Sequence, residues 1–356
     1  MKHPARKPRF SIHNADSLSW LAKQRAQTFH AVVSDPPFGV LEYSEEELVK
    51  RRNGNRGGVW RLPQSFDGFL RQPAPRFTIL TDHDRMGVLA FHLRVAPELF
   101  RVLVPGAHVI LATQCLVSHL VAQAFCMAGF EARGQIVRVV KTFRGGDRPK
   151  FGDRLYRDVS VIPRSCFEPW LLFRKPCEGR VIENLKRYGT GALRRPSEDV
   201  PFPDLLEFAP ARGAEKVIAK HPSLKPQTLM RALVRAALPL GRGVVLDPFM
   251  GSGSTIAAAE HLGLRSVGVE IDYEYFRLAK RAIPQLAVLP TNGNGHHQTE
   301  KERLKTRKRS TPSSEQPTNG VHRNGAWTNR SVGPLHDLMR PSEKRHRARS
   351  AARRAR

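Results

Sequence analysis

The chain has 356 residues, 40% of them apolar, enough for one large or two modest domains with a substantial core. Its 59 Lys and Arg against 32 Asp and Glu give a formal charge of +27, a field that draws polyanions, so nucleic acid is the expected partner. Cys115, Cys126, Cys166 and Cys177 form no CxxC pair and read as reduced core thiols, which argues against a disulfide framework or a metal site and for a cytoplasmic location. The basic start is followed by no apolar segment, and no apolar run reaches the roughly 18 residues that span a bilayer, so neither secretion nor membrane insertion is expected.

Residues 10–16 predict a strand closed by Asp16, and residues 18–26 a helix that Asp16 is equally suited to cap. Residues 30–34 predict a second, buried strand that delivers Asp35-Pro-Pro-Phe38 at its carboxyl end, the edge where open α/β sheets place their ligands. Two prolines fix φ and cannot continue a ladder, so this loop is stiff and holds its carbonyls in one direction. A carboxylate at Asp35 and the Pro36 carbonyl, with Pro37 behind them, can accept the two N–H bonds of an aromatic amine, and Phe38 offers a face for an extruded base. A strand-ending turn capped by Asp would use the same four residues without chemistry.

Residues 41–61, a charged helix and then a glycine-rich basic loop, suit either a lid over nucleic acid or a solvated linker. Residues 92–103 predict a helix, 107–114 a buried strand after the Pro105-Gly106 turn, 116–128 a helix, 136–141 a strand and 166–174 a strand. Arg144, Arg148 and Lys150 lie in a basic glycine loop suited to phosphates. Residues 178–210 read as an irregular segment in which Arg187, Arg194 and Arg195 interleave with Tyr188 and Phe202, suited to phosphate and base contacts or to a structural linker. A Pro-initiated helix over 229–238 follows His221-Pro-Ser-Leu-Lys-Pro226.

Residues 244–246 then predict a short strand that runs into Asp247-Pro-Phe-Met-Gly-Ser-Gly-Ser-Thr255 and an Ala-rich helix. Gly251 and Gly253 let backbone come close to a ligand, and the helix start offers unpaired N–H groups. Glu270 ends the next apolar run, 19 residues after Gly251, at the distance from which an acid reaches ribose hydroxyls. No third glycine and no P-loop lysine follow, so a nucleoside without a pyrophosphate is the expected cofactor. Residues 289–356 read as a basic disordered tail: they lack period, and 291–356 carry 16 Lys and Arg against 5 Asp and Glu.

The residues from Asp247 to Thr255 resemble the S-adenosylmethionine motif of the DNA amino-methyltransferases, and Asp35-Pro-Pro-Phe38 resembles the catalytic motif of the same enzymes, which usually has Tyr in the fourth place. The resemblance implies a doubly wound, mostly parallel α/β sheet of the S-adenosylmethionine-dependent methyltransferase type, circularly permuted into the family's β-group order with the catalytic loop first. It implies that Asp247, Pro248, Phe249, Gly251, Ser252, Gly253, Ser254 and Thr255 surround the methionine part of the cofactor, that Glu270 holds the ribose, and that Asp16 approaches the adenine. The element at 221–226 is similar to the family's His-x-x-Gln-Lys-Pro, although Leu224 replaces Gln; only Ser223 and Lys225 are carried over, toward the methionine end. The implied layout is a methyltransferase domain over 1–288, with a catalytic half at about 10–176, a recognition segment at about 178–220 and a cofactor half at about 221–288.

The expected activity is therefore site-specific transfer of a methyl group from S-adenosylmethionine to N6 of adenine in DNA, with the base flipped from the duplex, and with a homodimer and a cognate restriction enzyme among the expected partners. Asp at position 35 favours adenine, because cytosine-N4 enzymes of the family usually carry Ser there. The alternatives are an N4-cytosine enzyme, an RNA methyltransferase and a nucleic-acid-binding protein whose catalysis has lapsed.

Overall fold

The computed structural model describes residues 8–37, 65–66, 69–70, 80–145, 156, 158–161, 163–211, 213–221 and 223–291. Phe38, Arg148, Lys150, the 41–61 segment and residues 292–356 lie outside them, as does the side chain of Arg144.

The strands, in chain order, are β1 (Phe10–Asn14), β2 (Phe29–Ser34), β3 (Ser65–Phe66), β4 (Phe69–Leu70), β5 (Leu103–Ala112), β6 (Glu131–Gly145), β7 (Arg164–Arg174), β8 (Leu205–Glu207), β9 (Val244–Asp247) and β10 (Arg265–Glu270). The helices are α1 (Ser17–Leu21), α2 (Asp82–Val102), α3 (Ser118–Met127), α4 (Val181–Tyr188), α5 (Ala214–Ile218), α6 (Gln227–Ala237), α7 (Ser254–His261) and α8 (Tyr273–Val288).

Eight strands form one sheet in the order β1-β10-β9-β2-β5-β7-β6-β8. Every pair in it is parallel except those made by β7, which runs antiparallel to both β5 and β6. Both faces are covered, and the alternation of side chains along the central strands serves both. Val32, Val109 and Leu111 point into a core with α2 and α3, through Val95, Leu99, Val121 and Phe125. Ala31, Val33, Ile110 and Ala112 meet Leu229, Leu233 and Val234 of α6 on the other face. A third cluster joins α7 to α8 through Ile256, Ala279 and Ile283.

From β2 the chain moves to β5 on one side, and from β9 it moves to β10 on the other. The strand order therefore reverses between β2 and β9, and the crevice beyond their carboxyl ends is the place such sheets offer to a ligand. The expected doubly wound, mostly parallel sheet is present.

Several boundaries differ from the expectation. Helix α2 starts ten residues before the expected start at 92, because Thr81 and Asp84 form a reciprocal capping box at its amino end. Pro105 and Gly106 lie within β5, which begins at Leu103 directly after α2. The segment 178–210 is not irregular throughout: it contains α4 and the edge strand β8. Cys115 and Cys126 are exposed and Cys166 and Cys177 half-buried, so the expected core thiols sit nearer the surface. No helix among the described residues is long and apolar enough to cross a membrane.

Candidate active site

Strands β2 and β9 bring two aspartates side by side at the switch point. Ser34, the last residue of β2, donates its hydroxyl to Asp247 Oδ1 at 2.6 Å, and the Phe249 backbone N–H donates to the same oxygen at 3.1 Å. Burial pushes the Asp247 carboxyl up to about 6, against the pull of Ser34, Thr255 and the Phe249 N–H. Asp35 follows Ser34 directly. Its Oδ2 accepts from the Ser223 hydroxyl at 2.7 Å and lies 3.0 Å from Lys225 Nζ. Its Oδ1 is buried and has no partner among the described residues. Pro36 is buried beside it and Pro37 is exposed.

Ser223 and Lys225, expected at the methionine end of the cofactor, converge on the Asp35 carboxylate. The physical reason is the burial of Lys225: its side chain is only 11% exposed, so its ammonium needs carboxylates, and it finds two. The second is Glu168 Oε1, at 2.5 Å. Glu168 is bound in turn by Arg138 Nη1 at 2.9 Å, its direct cross-strand partner in the β6–β7 ladder. Burial alone would raise the Glu168 carboxyl, but Lys225 and Arg138 outweigh it and hold Glu168 at about 2. Burial raises the Asp35 carboxyl above its ordinary value, Lys225 opposes this, and the nearby Glu168 charge adds to it. Asp35 and Glu168 together keep Lys225 protonated despite the cost of desolvation.

Sequence reasoning missed Glu168 and Arg138. Carboxyl ends of strands were the places to look, yet β7 is antiparallel, so its beginning reaches that edge. The available signal was an acid inside an otherwise apolar strand, Cys166-Phe-Glu-Pro-Trp170.

The glycine loop follows β9. Glu270 holds it in place: Gly251 N donates to Oε2 at 2.9 Å and Asp272 N to Oε1 at 2.8 Å. Each oxygen keeps a further acceptor position. Gly251 has φ +51°, and a Cβ there would come within 3.2 Å of the His221 ring, which packs edge-on against Tyr275. The space beside Gly253 belongs to the core, since a Cβ there would lie 2.5 Å from Ile283. Ser252, Ser254 and Thr255 are buried, the Pro248 carbonyl accepts from the Ser17 hydroxyl, and the Phe249 ring packs on Phe91 at 5.6 Å. Asp16 is exposed and caps α1 by accepting from Ser19 N at 2.9 Å.

Arg187, Arg194 and Arg195 are not brought to this crevice. Arg194 N donates to Ala236 O at the end of α6, and Arg235 reaches the Arg195 carbonyl, which places both at the amino-terminal edge of the sheet, away from Asp35. Arg187 is bound to Glu178 at 2.9 Å, on a helix fastened by Asn184 to the Pro105 carbonyl at the same edge. A groove of about 780 Å³ also lies on that edge, lined by Arg9, Trp20, Arg242 and Arg265, and it contributes nothing to the constellation around Asp35. Among the described residues no cluster of three or more His, Cys, Asp or Glu is arranged to hold a metal.

A family model described as DNA methylase, of the N6/N4 methyltransferase kind, matches residues 29–281, from the start of β2 into α8. The chain belongs to this DNA methylase family. It is 26% identical over 298 residues to the type II methyltransferase M.HindIII of Haemophilus influenzae, covering 75% of this chain and 93% of that one. It is 34% identical over 80 residues to the type II methyltransferase M.HpaI of Haemophilus parainfluenzae, 22% of this chain and 25% of the relative. Among solved structures it is similar to the PvuII DNA methyltransferase (cytosine-N4-specific), at 14% identity and a TM-score of 0.49 over 85% of this chain and 94% of that one. As a member of that family, the methylase is an S-adenosylmethionine-dependent DNA methyltransferase. Its own residues fit that cofactor: Asp247 and Glu270 are acids held at the glycine loop by backbone N–H groups, and at Gly251 a Cβ would crowd the backbone approach.

Proposed function

We propose that this methylase transfers its methyl group to the N6 amine of adenine at a specific site in DNA. The observation that carries this reading is the Asp35 carboxylate, anchored through Oδ2 while its buried Oδ1 is left without a partner among the described residues. A buried acceptor left open is costly unless a donor arrives. An adenine amine has two N–H donors, one for Oδ1 and one for the Pro36 carbonyl. Held there, its nitrogen lone pair is drawn out of conjugation and aimed in one direction, and the attack becomes effectively unimolecular.

S-adenosylmethionine, when bound, supplies an electrophilic methyl on a sulfonium. Glu270 is suited to the ribose hydroxyls through the acceptor positions that Gly251 and Asp272 leave free, and Asp247 fixes the loop through Phe249. The ionised Asp35 carboxylate is the stronger acceptor, so transfer falls as pH drops through its raised pKa. A base inside a duplex cannot reach this crevice, so the target is flipped, and Phe38, outside the described residues, is the candidate stacking face. The catalytic half precedes the cofactor half in the chain, the order of the family's β group.

The choice of adenine rests on the resemblance that associates Asp, and not Ser, with adenine enzymes. A carboxylate accepts more strongly than a hydroxyl and is never a donor when ionised. Nucleoside mass spectrometry of DNA treated with the purified protein is the test. We expect 6-methyladenine; 4-methylcytosine in its place would move the methylase to the cytosine branch with the same machinery.

A further inference from the structure

We propose that Glu168 is a positioning residue for Asp35: held by Arg138, it takes a share of the Lys225 ammonium, so that Lys225 orients the Asp35 carboxylate without neutralising it. This rests on the reading of Asp35 as the acceptor of the target amine.

The geometry is a line of alternating charges. Arg138 binds Glu168 Oε2 at 2.9 Å, Lys225 binds Glu168 Oε1 at 2.5 Å, and the same ammonium lies 3.0 Å from Asp35 Oδ2. All four side chains are 17% exposed or less, so little solvent screens them. Lys225 Nζ also lies 5.9 Å from the centre of the Trp170 ring. A buried Lys–Asp pair alone would leave a carboxylate whose charge is largely offset, and so a weak acceptor at Oδ1. Sharing the ammonium between two carboxylates leaves part of the Asp35 charge for the incoming amine. Arg138 balances the added carboxylate, and the four groups sum to zero. The other groups facing the set are Ser223 on Asp35, Ser34 and Asp247 on the neighbouring strand ends, and the His221 ring near Lys225. None of them adds a third cation to Lys225 and Arg138.

The arrangement makes a signed prediction that a merely structural role does not. Glu168→Gln keeps the shape and an acceptor but removes the charge, so Lys225 falls wholly to Asp35. Then kcat drops by about tenfold or more while cofactor affinity is retained, and the acid limb of the kcat profile moves to lower pH. Arg138→Gln removes the balancing cation, Glu168 draws Lys225 away from Asp35, and the acid limb moves to higher pH. Both profiles are measured on the full-length protein with duplex DNA, with thermal melting to confirm folding. Opposite shifts support the inference; shifts of one sign, or none in both, overturn it. If Glu168→Gln does not fold, Arg138→Gln alone decides: an unmoved or lowered limb overturns the proposal. An Asp35→Asn variant with wild-type kcat would remove the reading of Asp35 itself. Loss of transfer in that variant, with unmoved limbs in the other two, removes only the role of Glu168.

Discussion

At the scale of single residues, the account depends on one carboxylate with two differently occupied oxygens. Asp35 was legible in the sequence because Asp-Pro-Pro-Phe at a strand end shares the chain with the Asp247 glycine loop; alone, the four residues suit a capped turn as well. Its supports were less legible. The motif at 221–226 made Ser223 and Lys225 visible, but their contacts with Asp35 and Glu168 were not, since these follow from the need of a buried ammonium for carboxylates. Glu168 and Arg138 lie 30 residues apart and meet only through strand register. Asp35→Ala should leave cofactor affinity within about threefold while lowering methyl transfer by roughly a hundredfold or more, the scale at which one charged hydrogen-bonding group in a reaction site is worth measuring. Calorimetry with S-adenosylmethionine and a methyl-incorporation assay separate the two effects; equal loss in both would make Asp35 a cofactor residue.

At the scale of elements, strong apolar runs gave β2, β5, β9 and β10 to within a few residues, since a strand buried on both faces writes itself as a block of Val, Ile, Leu and Ala. Helix α4 and the first turns of α2 were less visible because their sequences are largely polar and their order comes from caps and neighbours, and β8 because it is only three residues long. Thr81-x-x-Asp84 was the one local signal for α2, and α4 is tied down by Asn184, which reaches the Pro105 and Thr190 carbonyls. The central strand β5 also carries a liability. Burial, with Arg174 and Arg133 nearby, pushes His108 down to about 3. A histidine whose folded pKa lies below its unfolded value stays neutral in the fold while the unfolded chain takes up a proton, so stability is lost as pH falls from about 6.5 toward 3. His108→Gln should therefore remove about 1.4 kcal/mol of acid destabilisation for each pH unit in that window. Denaturant melts of the two proteins at several pH values check this; parallel stability curves would mean that His108 does not titrate on unfolding.

At the scale of the whole molecule, the doubly wound sheet follows from the alternation of buried strands and amphipathic helices, and the site follows from the reversal of strand order between β2 and β9. The two motifs stand more than 200 residues apart in sequence, and the hydrogen bond from Ser34 to Asp247 joins them. What the chain alone could not indicate was where its basic residues lie relative to Asp35. Charge is spread over the sequence, and Arg187, Arg194 and Arg195 fold to the edge away from Asp35 because α4 and the end of α6 lie there. The proposal that this methylase marks one DNA sequence at adenine is tested by sequencing modified bases in DNA from cells that express the chain. We expect 6-methyladenine confined to one short sequence, present with the wild-type protein and absent with Asp35→Ala; DNA with no new methylated base, or with the same marks in both, would overturn the proposal.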